Sequence, residues 1–130
     1  MKPIGVIFSF AMLVGLPLPA MAADFDGSRR LICATVDARD CVRNEACFEK
    51  LDEVGAPKFL RLDFENKVII GPEHTTPIVE MNRDDRQLLL GGKEQGYAWA
   101  LALDQATGHF AATLTNIEGA FVLFGNCTPL

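Results

Sequence analysis

Between positions 97 and 103, the large side chains Tyr97, Trp99, Leu101 and Leu103 alternate with Ala98, Ala100 and Ala102. A period of two belongs to a strand, whose successive side chains point to opposite faces. Two turn-forming stretches follow, Asp104-Gln105-Ala106-Thr107-Gly108 and Asn116-Ile117-Glu118-Gly119. Each supplies a glycine for the positive φ that a hairpin loop requires. Residues 97–127 therefore predict a three-stranded meander that ends on a cysteine. Such a meander is a core.

The preceding sequence repeats the pattern in shorter pieces. Residues 30–37 predict a first strand with Ile32, Ala34 and Val36 on its apolar face. Residues 59–64 predict another, with Leu60, Leu62 and Phe64 inward and Arg61 and Asp63 outward. Residues 68–70, 77–82 and 86–90 complete the set. Asn44 as a cap and Gly55 as a stop allow one or two helical turns between them. Gly91-Gly92-Lys93-Glu94-Gln95-Gly96 reads as the longest flexible loop. The fold class expected is all-β: a small antiparallel eight-stranded barrel or meander, with at most one short helix near residues 47–55.

Residues 1–22 have the layout of a secretory signal peptide. Lys2 is followed by no charge until Asp24, residues 4–18 are apolar, and Ala20-Met21-Ala22 is a small-x-small cleavage site. A membrane anchor needs about 20 uninterrupted apolar residues; Gly5, Gly15, Pro17 and Pro19 interrupt a shorter run. No cysteine stands near the cut, so no lipid-modified terminus is expected. The expected product is a single β domain, residues 23–130, periplasmic or secreted, with no stable membrane insertion after cleavage and monomeric. Loss of Lys2 leaves 11 basic against 17 acidic side chains, taking the net charge from −5 to −6. That charge repels nucleic acid.

Four cysteines in a small exported domain point to disulfides. Cys41 and Cys47 can close a small ring, and Cys33 and Cys127 can tie the first strand to the last. Zinc would want Cys-x-x-Cys pairs or neighbouring histidines, which are absent. The acidic run Asp24-Phe25-Asp26-Gly27 lacks the later ligands of a calcium loop. No metal or cofactor is expected.

Catalytic groups are scarce. After cleavage the sole serine is Ser28, in a polar terminus, and bridged cysteines offer no thiolate. His74 and His109 are the only histidines, and neither has a partner nearby in sequence that would tune it. The chain reads as a non-enzymatic binding protein. The favoured mode is a protein partner in the periplasm or outside the cell, contacted by residues 91–96 with Lys93 at the tip, beside Tyr97 and Trp99. Phe64, Phe110, Phe121, Phe124 and Trp99 are bulky, which argues for a filled interior. The alternative is a barrel that holds a small apolar ligand behind Tyr97 and Trp99. A structural accessory of the envelope is the third reading.

The residues that carry a resemblance run through nearly the whole mature chain. They include Cys33-Ala34, the Cys41–Cys47 ring, Ala56-Pro57-Lys58-Phe59-Leu60-Arg61-Leu62-Asp63-Phe64, Trp99-Ala100-Leu101 and Phe121-Val122-Leu123-Phe124-Gly125-Asn126-Cys127. In these the chain resembles small exported, disulfide-containing proteins of Gram-negative bacteria that have no assigned function. It is more weakly similar to the periplasmic inhibitors of C-type lysozyme, which are disulfide-stapled eight-stranded barrels that push a loop into the lysozyme cleft. That likeness places residues 91–97 at the inhibitory loop, although the family's loop presents a serine and this one has none.

The purified exported protein is expected to begin at Ala23 and to take up four alkyl groups only after reduction. Intact-mass measurement before and after reduction and alkylation checks both; free thiols in the unreduced protein would contradict the disulfides.

Overall fold

The computed structural model describes residues 24–49 and 51–130, together with Gly15 and Leu16. The predicted signal peptide otherwise lies outside the described residues. Nine strands and one short helix follow in chain order: β1 (Leu31–Val42), α1 (Leu51–Val54), β2 (Phe59–Asp63), β3 (Val68–Ile70), β4 (Thr75–Pro77), β5 (Glu80–Arg83), β6 (Gln87–Glu94), β7 (Tyr97–Asp104), β8 (His109–Thr115) and β9 (Gly119–Pro129). They form one antiparallel sheet in the order β4-β3-β2-β1-β9-β8-β7-β6-β5. The all-β class and the single short helix agree with the sequence reading.

The two outer strands of that order, β4 and β5, are separated in the chain by only Ile78 and Val79. The opposite edges of the sheet must therefore meet, and the sheet curls into a barrel-like form. The joint is held by backbone bonds to both sides. The Ile78 N–H donates to the Lys67 carbonyl at 2.8 Å, and the Val79 N–H donates to the Gly91 carbonyl at 2.9 Å. Thr76 Oγ1 adds a bond to the Lys93 carbonyl at 3.0 Å. One extended segment thus pairs with β3 through its first half and with β6 through its second. This is why eight staves are expected from sequence and nine strands are found.

Strand β1 zips onto β9 along its whole length, with Cys33 directly opposite Cys127. The Cys33–Cys127 and Cys41–Cys47 disulfides are both formed. Two disulfides fit an oxidising, exported location. Among the described residues no helix is long and apolar enough to cross a membrane.

Cys33 and Leu31 are fully buried, so the inner face of β1 is Leu31, Cys33 and Thr35, while Val36 is exposed. This reverses the face assigned from sequence. Ile32, Ala34 and Val36 are no less apolar than their neighbours, and only the bridge to Cys127 decides which set turns inward. A one-residue slip exchanges the two faces of a strand. A bulge between Thr35 and Asp37 then resets the alternation and brings Ala38 inside.

Two local expectations fail for related reasons. Asn44 does not cap a helix; its φ is 64°, inside the disulfide ring, and Phe48 makes an antiparallel bridge to Asp40 instead. Helix α1 begins only at Leu51, and Gly55, with φ 73°, ends it as read. Gly108 has the positive φ expected of the first hairpin, but Gly119 is not among the left-handed glycines. There a Cβ would lie 2.5 Å from the Cys41 carbonyl oxygen, so close approach to β1 is what excludes a side chain.

Asp63 shows how a polar group is accommodated. It sits on the outer face of β2 yet is only 6% exposed. The Asn66 side-chain and backbone N–H groups donate to it at 2.9 and 3.1 Å, and Arg30 Nε lies 3.1 Å away. These donors, with Asn66 foremost, hold its carboxyl below the ordinary 3.8 despite desolvation, which pushes it up. A lowered folded-state value means that the ionised carboxylate adds stability above the unfolded value and loses it as pH falls. Asp63→Asn should therefore lower the melting temperature at neutral pH, and the gap to wild type should close as pH drops through and below 3.8. Thermal melts of both proteins across that range check it; a gap independent of pH would contradict it.

Candidate binding site: a half-filled barrel

The interior is packed at one end and hollow at the other. At the packed end lie Leu31, Leu62, Leu88 and Leu103, all at most 2% exposed, with Phe64, Phe110 and the Cys33–Cys127 bridge. Phe25 plugs this end so tightly that a Cβ on Gly108 would lie 2.6 Å from its ring. At the other end β7, β8 and β9 contribute Trp99, Leu101, Ala112, Leu114 and Leu123. These line a cavity of about 580 Å³, completed by Leu60 and Ile69. Ala112 is the small residue in this layer; its counterpart nearer the packed end on the same strand face is Phe110.

Of the candidate binding residues, the structure brings only Trp99 to the cavity wall. It is 9% exposed, and its Nε1 is buried without a hydrogen-bond partner among the described residues. A buried donor left unpaired costs about 1–3 kcal/mol; the Cε2–Cζ2 edge that carries it lies against Gly92 of β6, and the nitrogen itself is sealed from the cavity. Tyr97 instead stacks at a tilt on Phe121, with ring centroids 5.9 Å apart.

Lys93 is not at the tip of a loop. Residues 91–94 belong to β6 and pair with residues 97–100 of β7; only Gln95 and Gly96 turn the chain. Their φ values of 44° and 85° make a tight two-residue hairpin. The glycines that suggested flexibility have a packing reason. Gly92 faces Trp99 across the ladder, and a Cβ there would lie 2.7 Å from both Trp99 Cζ2 and the Pro77 carbonyl oxygen. The flexible loop expected at residues 91–96 is thus a strand end and a two-residue turn. The aromatic filling expected from sequence is also incomplete. Phe64 and Phe110 serve the packed end, Phe121 is half-buried, and Phe124 is 43% exposed on the outer face.

The mouth is framed by two segments. Residues 55–58 follow α1 and are held to β1, where Thr35 Oγ1 donates to the Pro57 carbonyl at 2.8 Å and the Thr35 N–H donates to the Lys58 carbonyl at 2.9 Å. The tight turn at residues 71–74 is closed by the Gly71 N–H donating to the His74 carbonyl. His74 lies 3.1 Å from Gln95 Nε2 through its own Nε2. Lys58, Glu73, His74 and Glu94 are the ionisable residues of the rim. Lys58 is paired with Asp52 at 2.8 Å; that contact pushes the ammonium up and holds the carboxyl down. His109 lies exposed at the start of β8, far from this mouth. Among the described residues no group of His, Cys, Asp and Glu could hold a metal ion.

No family profile, curated protein or solved structure matches this chain.

Two substitutions separate the wall from the rim strand. Trp99→Ala should cost about 3–5 kcal/mol, as expected for truncating a buried aromatic. Lys93→Ala, on an exposed strand position, should stay within about 0.5 kcal/mol. Urea denaturation of both variants checks the contrast, and equal effects would contradict the placement of the two side chains.

Proposed function

We propose that this chain is an exported binding protein, periplasmic or secreted, that holds a small, mainly apolar molecule in the open end of its barrel. The observation that carries this reading is the cavity of about 580 Å³ walled by Leu, Ile, Ala and the buried indole of Trp99. Ligand sites fall in the range of roughly 300–1,000 Å³, are lined mainly by apolar side chains and offer a few placed polar groups. Thr76, His74 and Glu94 are among the polar groups that line this cavity. Water filling this space would find few partners on its walls, so an apolar occupant gains the full benefit of leaving solvent.

The lysozyme-inhibitor reading and the wider idea of a protein partner both rested on residues 91–96 acting as a loop. With those residues in β6 and a two-residue turn, the cavity is the better-supported site.

The test is a neutral apolar fluorophore, N-phenyl-1-naphthylamine, titrated against wild type and Ala112→Phe. Wild type should enhance its emission and saturate, with Trp99, the only tryptophan, as energy donor. Ala112→Phe, which puts a ring into the cavity, should weaken binding at least tenfold while the variant stays folded, at a cost of no more than about 1–3 kcal/mol. Equal binding by the two proteins would remove the cavity as the site.

A further inference from the structure

The rim of the cavity carries two carboxylates, Glu73 and Glu94, beside Lys58 and His74. Strand β6 presents Leu88, Leu90, Gly92 and Glu94 on its inner face, so Glu94 is an inward carboxylate at the mouth, half-buried and lining the cavity. It has no cationic partner among the described residues. Glu73, on the turn at residues 71–74, also lines the mouth; its side chain is 84% exposed, and among the described residues it lies 4.0 Å from His74. The single ammonium of the rim, on Lys58, is already engaged by Asp52 at 2.8 Å.

Building on the cavity reading, we propose that the ligand is an amphipathic organic cation, its apolar body in the cavity and its ammonium group at the rim between Glu94 and Glu73. The arrangement suits the two halves of such a molecule. The body replaces water along Leu60, Ile69, Leu101 and Leu123. The head stays at the opening, where it keeps part of its hydration and meets the half-buried carboxylate of Glu94 and the exposed one of Glu73. A carboxylate or sulfate head at the same position would be repelled by both side chains.

The experiment displaces N-phenyl-1-naphthylamine with three probes of one chain length: octyltrimethylammonium, octanol and octyl sulfate, at about pH 8, where an imidazole carries no charge. In wild type the cation should displace the fluorophore at roughly five- to tenfold lower concentration than the sulfate, with octanol between them, as expected for partly exposed charge pairs. In Glu73→Gln/Glu94→Gln the order should collapse. A second double variant, Glu65→Gln/Asp85→Asn, removes the same charge away from the mouth and should keep the preference. Equal displacement by cation and sulfate in wild type overturns the proposal, as does a preference that Glu65→Gln/Asp85→Asn abolishes, because it would then report only net charge. Binding of the neutral fluorophore without a charge preference leaves the cavity reading standing while this proposal falls; failure of the fluorophore itself to bind ends both.

Discussion

Everything in this molecule depends on the pairing of β1 with β9. These strands come from opposite ends of the folded chain, 94 residues apart at the Cys33–Cys127 bridge, yet they form the longest ladder in the sheet. Closing so long a loop is entropically expensive, and a disulfide removes about 4–5 kcal/mol of that cost from the unfolded chain on the loop-entropy account. With the ends locked, the remaining strands are neighbours in sequence on either side: β2, β3 and β4 to one flank, β8, β7, β6 and β5 to the other. The segment that holds both β4 and β5 then joins the flanks. A small domain stapled in this way does not need to fill its whole interior. One well-packed end carries the stability, and the other is free to stay hollow.

That division explains where side-chain size is placed. Inward positions from Leu31 through Leu62, Leu88, Leu103 and Phe110 are large and dry, and Phe25 stops the end. Toward the opposite end Ala112 replaces bulk, and Gly92 gives up its side chain where the Trp99 indole packs against β6. Void next to apolar side chains forfeits dispersion contacts, and an unpaired indole N–H forfeits a hydrogen bond.

Most of the architecture was legible in the sequence because alternation and turn residues are local signals. The meander of β7, β8 and β9, both disulfides and the short helix ending at Gly55 agree with the reading. The failures share one cause. The inner face of β1, the glycines at 91 and 92 and the position of Phe124 are all settled by a partner strand, which a single stretch of sequence does not display. Gly91-Gly92 carried a usable clue. If Gln95-Gly96 is taken as the turn, the register sets Gly92 opposite Trp99, and the missing side chain becomes space for an indole. A hollow barrel behind Trp99 was legible only as an alternative, because a cavity depends on which of several alternating residues meet at one level of the barrel. Counting Phe64, Phe110, Phe121 and Phe124 together suggested a full core, but they lie at different levels and on different faces.

The central claim is that the barrel takes a guest at one end and not at the other. The most direct measurement is a set of intermolecular NOEs between a bound neutral aromatic probe and isotope-labelled methyl groups of the protein. The account predicts contacts to Leu60, Ile69, Leu101, Leu114 and Leu123, and none to Leu31, Leu62, Leu88 or Leu103. Contacts confined to the outward methyl groups of Leu89 and Val122 would mean that the sheet's outer face, and not its interior, is the binding surface.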